Sequence, residues 1–280
     1  MIRLSQKSDI EKIIHLWNEA FGDSEDEIRF FLDSRYNPDN TVIYEIDGDI
    51  AAVLFLLEGN MSINGSDYPS YYLYAACTLK KYRGRGIMTD LLAYTKEITN
   101  SRSKHFICLR PGEKSLFEFY QKHGYKNFFK VKKVTYDFSC INQKTETEIC
   151  NSSYETDVIR NKAFSGGCFF KWDKQAIDFA FSHNRFYGGN SLITRKGYLL
   201  YAILDNVLSV KEITFTNKFD LLDAVSNISH DDIDRINVLF PPWANEKGEI
   251  VDYAMITAVN EKSQNIIEEI DNAYLGLTLE

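Results

Sequence analysis

The stretch ACTLKKYRGRGIMTDLLAYTKE, residues 76–97, decides how this chain is read. An apolar run of strand character enters it and a helix-like run leaves it. Between them two arginines alternate with two glycines, Arg83-Gly84-Arg85-Gly86. A helix starting between Gly84 and Ile87 has first-turn amides without intrahelical partners, and the positive end of its dipole lies there. Such an end receives phosphate. Gly84 and Gly86 let an anion approach the backbone with no Cβ in the way. Lys80, Lys81, Arg83 and Arg85 add charge that a buried turn would not need. The pattern points to a ligand carrying a polyphosphate. It is not a P-loop, because GxxxxGK[ST] is absent. It is not the dinucleotide fingerprint GxGxxG, which would need glycine where Thr89 stands. The plain alternative is a basic, solvated turn.

Outward from the loop, the elements follow from pattern. IRL at residues 2–4 reads as a strand. Ile10, Ile13, Ile14, Trp17 and Phe21 recur at helical spacing behind a cap at Ser8 or Asp9. Ser24 with Glu27 three residues on marks a second helix by its capping box. Residues 40–59 read as a hairpin turning at Asp47-Gly48, and Asn64-Gly65 tips a second one. The apolar run before the loop is a central strand. After the loop helix come a buried strand, HFICL, a helix stopping at Gly124, and a long strand at residues 126–138. Residues 1–140 thus form a mixed α/β domain, its sheet mostly antiparallel with flanking helices and one parallel crossover. A polar linker, 141–150, follows. Residues 151–280 repeat the order of helices, hairpin, helix and two strands, without a glycine-arginine loop. They read as a second α/β domain unsuited to the same chemistry.

Composition sets the outer limits. A length of 280 residues favours about two domains. With 44% hydrophobic residues the chain can bury sizeable cores, which excludes disorder. A net charge of -8 disfavours a nucleic-acid binder. The five cysteines are odd in number, scattered, and form no CxxC, so neither a disulfide framework nor a metal site is expected. The N-terminus lacks an apolar h-region and no run is long enough to span a bilayer, so a cytoplasmic protein without membrane partners is expected.

TLKKYRGRGIMTDLL resembles the R/Q-x-x-G-x-G/A loop of the GCN5-related N-acetyltransferases (GNAT), which binds the pyrophosphate of acetyl-CoA. Arg83 and Gly86 match its first and fourth positions. Met88 stands where most members have Gly or Ala, a departure shared with the enhanced-intracellular-survival branch. The preceding residues, GSDYPSYYLYAACTL, are similar to that branch too, and Lys80 replaces a common proline. LRPGEKSLFEFYQKHGY, residues 109–125, is similar to the family's second motif, L-x-P followed by F-Y-x-x-x-G-Y/F. There Tyr120 matches the tyrosine that acts as general acid near the CoA thiol, and Ser115 matches a position touching the cofactor arm. Phe117, Phe119 and Tyr125 read as core aromatics.

The resemblance implies the GNAT fold, with a degenerate second GNAT-like domain after the catalytic one, as in that branch. Acetyl-CoA would be the cosubstrate, held by Ala76, Cys77, Thr78, Arg83, Gly84, Arg85, Gly86, Ile87, Met88, Thr89 and Ser115, with no metal. The acceptor would be a small-molecule or peptide amine, and a homo-oligomer is common among such proteins. A strand amide at residues 76–78 would polarise the thioester carbonyl. Direct attack needs no covalent enzyme intermediate, so Cys77 and Cys108 read as buried strand residues. Glu45 and Glu58 are candidate bases or solvated strand residues, and Tyr72 to Tyr74 line an acceptor pocket or pack the core. The branch's base is a chain-terminal carboxylate, a role not carried over to the segment YLGLTLE. Its further sterol-carrier-like domain has no counterpart in these residues. The alternative is a non-catalytic acyl-CoA-binding module of the same fold. Retention of Tyr120 favours the enzyme.

Overall fold

The computed structural model of the chain describes residues 1–140, 148–150, 155–215, 217–228 and 233–278. Most of the expected linker, residues 141–147, and the terminal residues 279–280 lie outside them. In chain order the first elements are β1 (Ile2–Leu4), α1 (Ile10–Phe21), α2 (Glu25–Arg35), β2 (Thr41–Ile46), β3 (Asp49–Ile63), β4 (Ser66–Thr78), α3 (Ile87–Ser101), β5 (Phe106–Leu109), α4 (Lys114–Lys122) and β6 (Lys126–Asp137). Then come α5 (Thr156–Phe164), β7 (Cys168–Lys171), α6 (Lys174–Phe186), β8 (Asn190–Ile193), β9 (Tyr198–Leu204), β10 (Val207–Ile213) and α7 (Lys218–Val225). The last are β11 (Arg235–Phe240), β12 (Glu249–Ala258), α8 (Glu261–Ile266) and β13 (Ala273–Tyr274). Among the described residues no helix is long and apolar enough to cross a membrane.

Backbone packing divides the chain into two compact units. One holds Met1–Gly59, Tyr68–Lys126 and Met255–Glu269, the other Asn60–Asp67, Asn127–Ala254 and Ile270–Glu280. Each unit is assembled from three separate segments of the sequence.

In the first unit the strand order is β1-β2-β3-β4-β5-β12. The β1–β2, β2–β3 and β5–β12 pairs are antiparallel, and β4–β5 is parallel. The expected turns are present. Asp47 and Gly48 (φ 50° and 83°) close one hairpin, and Asn64 and Gly65 (51° and 79°), in the segment assigned to the other unit, close the β3–β4 hairpin. A two-residue turn matching strand twist needs this left-handed backbone. α2 carries its capping box, with Ser24 N–H donating to Glu27 at 2.6 Å and Glu27 N–H donating to Ser24 Oγ at 3.3 Å. The start of α1 differs from expectation. Asp9 occupies the cap position without capping. Its carboxylate instead accepts from Gln6 N–H and from the Arg3 guanidinium at 2.7 Å, and that pairing holds it below the usual carboxylate range. α1 and α2 cover the sheet through an aromatic cluster in which Trp17 meets Phe31 at 5.2 Å and Phe31 stacks on Tyr74 at 4.7 Å. Phe21 departs from the core assigned to it by periodicity and is 50% exposed.

In the second unit β9 and β10 form a hairpin with Asp205-Asn206 at its turn, and β10 runs parallel to β11 across α7. This repeats the β4–α3–β5 order of the first unit. β11 pairs antiparallel with β6. Sequence periodicity missed β7, a four-residue strand of CFFK, and α8, a six-residue helix.

A buried ion pair holds this unit together. Arg160 and Glu212 are both fully buried and 3.1 Å apart. Arg160 also donates to the carbonyls of Phe170 (2.7 Å) and Leu275 (3.0 Å). Glu212 accepts from Tyr198 Oη at 2.5 Å and from Leu277 N–H at 2.9 Å. Gly276, at φ 65°, passes so close that a Cβ there would collide with the Glu212 carboxylate. Removing one partner of such a pair leaves the other charge uncompensated. Glu212→Ala is therefore expected to cost about 3–5 kcal/mol in urea unfolding. The double variant Arg160→Met/Glu212→Leu should recover most of that loss.

Candidate active site

β4 and β5 pair only over Ser70–Tyr72 with Phe106–Cys108. β5 ends at Leu109 while β4 continues to Thr78. Past Tyr72, β4 therefore presents its edge without β5 beside it. Within that free run Ala75 adopts φ 46°, a left-handed conformation that a non-glycine residue takes only under constraint from its surroundings. It turns the strand just before Ala76. After β4 the chain makes one 3-10 turn, Lys80–Tyr82, and enters α3 through Gly86 at φ 77°.

The first intrahelical bond of α3 is Asp90 N–H to Gly86 carbonyl at 3.0 Å. The amides of Ile87, Met88 and Thr89 precede it and no side chain caps them. A Cβ built on Gly84 or Gly86 would meet no atom within 4 Å. The space beside these two glycines is open, and a helix start of this kind suits an anion.

A cleft of about 490 Å³ joins this helix start to α4. Ala76, Cys77, Thr78, Arg83, Gly84, Gly86, Ile87, Met88, Thr89 and Tyr120 all line it. The structure thus brings ten of the predicted residues to one cavity. Arg85 and Ser115 do not line it. The Arg85 guanidinium lies 5.4 Å from the Tyr82 ring centroid, and Ser115 Oγ donates to Glu113 at 2.6 Å. Arg83 Nε donates to the Thr78 carbonyl at 3.0 Å, which sets its charge at the end of β4. Lys81 is drawn off to Asp49 at 2.7 Å.

Tyr120 is 8% exposed and stands edge-on to Phe119 and Tyr125, at 5.3 and 5.4 Å. Burial pushes the Tyr125 phenol well above its ordinary range. Five further lining residues escaped sequence reading: Ala20, Phe21, Tyr82, Leu116 and Phe119. Leu116 precedes Phe119 by three positions and Tyr120 by four, so both aromatics flank it on one helix stripe, a signal that was available. Phe21 gave no such signal, because its periodicity matched the α1 core.

The other candidates sit elsewhere. Glu45 is bound to Arg3 at 2.7 Å. Glu58 faces Lys104 at 3.5 Å and Asn40 at 3.4 Å. Neither lines the cleft. Tyr72 is fully buried, and Tyr71 accepts from Arg102 at 3.1 Å. In the second unit the helix start that corresponds to α3 is closed by its own side chains. Asn217 Oδ1 accepts from Asp220 N–H at 2.9 Å, and the Asp220 carboxylate holds Lys196 at 2.8 Å. An acidic group thus occupies the first turn of α7.

Residues 1–128 match the family model described as an acetyltransferase (GNAT) domain. Among solved structures the chain is similar to a probable N-acyltransferase from Enterococcus faecalis, with 14% identity, TM-score 0.73, and coverage of 94% of this chain and 74% of that one. A GCN5-related N-acetyltransferase from Anabaena variabilis gives 13% identity, TM-score 0.74 and the same coverage. Eis1 from Mycobacterium abscessus gives 14% identity and TM-score 0.68 over 93% of this chain and 74% of its own. At these identities the likeness shows the fold. No curated protein matches the sequence. The match places residues 1–128 in a GNAT-type acetyltransferase domain, somewhat under half of the chain. The fold over nearly the whole chain is similar to that of Eis1.

The thiols differ in reactivity for a physical reason. Cys77 and Cys108 are buried, and burial drives the Cys77 thiol well above its ordinary range. Cys168 is pushed up to about 12, and Cys150 is only partly buried. Peptide mapping after native treatment with a disulfide reagent at mildly alkaline pH should find Cys150 modified ahead of Cys168. Cys77 and Cys108 should react only after unfolding.

Proposed function

We propose that the chain transfers an acetyl group from acetyl-CoA to a primary amine. The supporting observation is that the glycine-arginine loop and Tyr120, far apart in sequence, line one cleft. The amides of Ile87, Met88 and Thr89, together with Arg83, hold the diphosphate. The free edge of β4 at Ala76–Thr78 takes the arm that leads to the thioester, and a backbone N–H there polarises the carbonyl.

The acceptor amine has a pKa near about 10 and must lose a proton before it attacks. Glu45 and Glu58 are committed elsewhere, so that proton leaves through water. Nitrogen bonds to the carbonyl carbon, the carbon–sulfur bond breaks, and the sulfur takes the Tyr120 phenolic proton. Tyr120 then regains a proton from solvent. The buried Cys77 thiol takes no covalent part. The acceptor is a small-molecule or peptide amine, and dependence on acetyl-CoA suits a cytoplasmic protein.

Tyr120→Phe is expected to lower turnover on an amine panel by about 100-fold or more, the usual worth of a positioned acid. Acetyl-CoA binding by calorimetry should be retained. Undiminished turnover would remove Tyr120 from the mechanism. Gly86→Asp places a carboxylate and a strained φ at the helix start, and calorimetry is expected to register no acetyl-CoA binding. Folding of that variant is checked separately by circular dichroism.

A further inference from the structure

The last turn of α4 lies against the first turn of α3. There His123 Nε2 is 3.4 Å from Thr89 Oγ1. Thr89 lines the cleft and His123 stands behind it. The imidazole is edge-on to Phe119, also a lining residue, at 4.7 Å between ring centroids. The charged groups facing it are Lys122 on its own helix and Lys96 on α3, both cationic.

A threonine hydroxyl has one proton to give. When Nε2 is bare, that proton goes to the imidazole and the Thr89 lone pairs are left to meet the cleft. When Nε2 carries a proton, it donates to Thr89 Oγ1 and the hydroxyl proton turns toward a ligand. A protonated ring also adds positive charge one residue away from the phosphate site. We infer that His123 is a positioning residue for the cosubstrate's diphosphate, acting through the Thr89 hydroxyl, and that binding therefore tightens as pH falls. This rests on the reading of the cleft as a diphosphate cradle.

The sign follows from linkage. The bound state favours the protonated ring and so raises its pKa; the dissociation constant falls as pH drops through that bound-state value and levels off below the free protein's. Burial first, then Lys122 and Lys96, hold that value below the ordinary histidine range. The gain therefore belongs to the acid side of neutrality.

The test is calorimetry of dephospho-CoA between about pH 5 and about pH 8. This ligand keeps the diphosphate but lacks the 3′-phosphate, which would itself titrate near about 6. The wild-type dissociation constant is expected to fall roughly tenfold from the alkaline to the acid end. His123→Gln keeps a permanent N–H donor without a titrating charge. It should bind independently of pH, and more tightly than His123→Leu. Thr89→Val keeps the imidazole and should still lose most of the slope. A flat wild-type profile, or a slope that survives in His123→Gln, overturns the role of His123 while leaving the cradle standing. Absence of dephospho-CoA binding at every pH overturns the cradle and this inference together.

Discussion

The parting of β4 from β5 beyond Tyr72 is the constraint on which the site depends. Two parallel strands that stayed paired to their ends would consume every backbone group on the facing edges. Here β5 stops at Leu109 and β4 runs on to Thr78, bent by the left-handed backbone of Ala75. The edge of β4 is thereby left for a ligand. The same extension carries the chain to the turn before α3, so that uncapped helix amides and strand edge face one cavity. α4 follows the shorter strand and brings Tyr120 to the other wall. One mismatch in strand length thus places an anion cradle, a strand edge and a phenol around a common space.

The second unit repeats the crossover without the cleft chemistry. Its corresponding helix, α7, begins at Asn217, whose side chain caps the first turn, where α3 begins at a glycine that offers no cap. The interior of that unit is occupied by Arg160 and Glu212, whose hydrogen bonds go to backbone of Phe170, Leu275 and Leu277. A buried charge pair is a poor source of net stability against an apolar replacement, but it is exacting about its partners. Here it binds the final described segment to the rest of its unit.

Much of this was legible in sequence, wherever the signal is local. Asp47-Gly48, Asn64-Gly65 and the Ser24–Glu27 box act within a few residues, and each appears as read. The glycine-arginine loop was legible because its φ requirement and its charge occur together. What escaped was non-local. Asp9 looked like a cap until Arg3, on a neighbouring strand, claimed its carboxylate. Phe21 fits the α1 periodicity, yet the helix ends beside the cleft and the ring lines it. Lys81 reads as part of the basic loop, but Asp49 from another strand neutralises it. Nothing in DYAMITAV says that Met255 to Ala258 pair with HFICL, more than a hundred positions earlier.

That last pairing has a consequence for synthesis. The strand beside β5 consists of residues 255–258, and α8 of the same unit follows it. A ribosome makes the cleft residues early and this strand late. The nascent first unit therefore carries an open sheet edge until more than a hundred further residues have been made. Its final closure has to wait until residues 255–258 emerge.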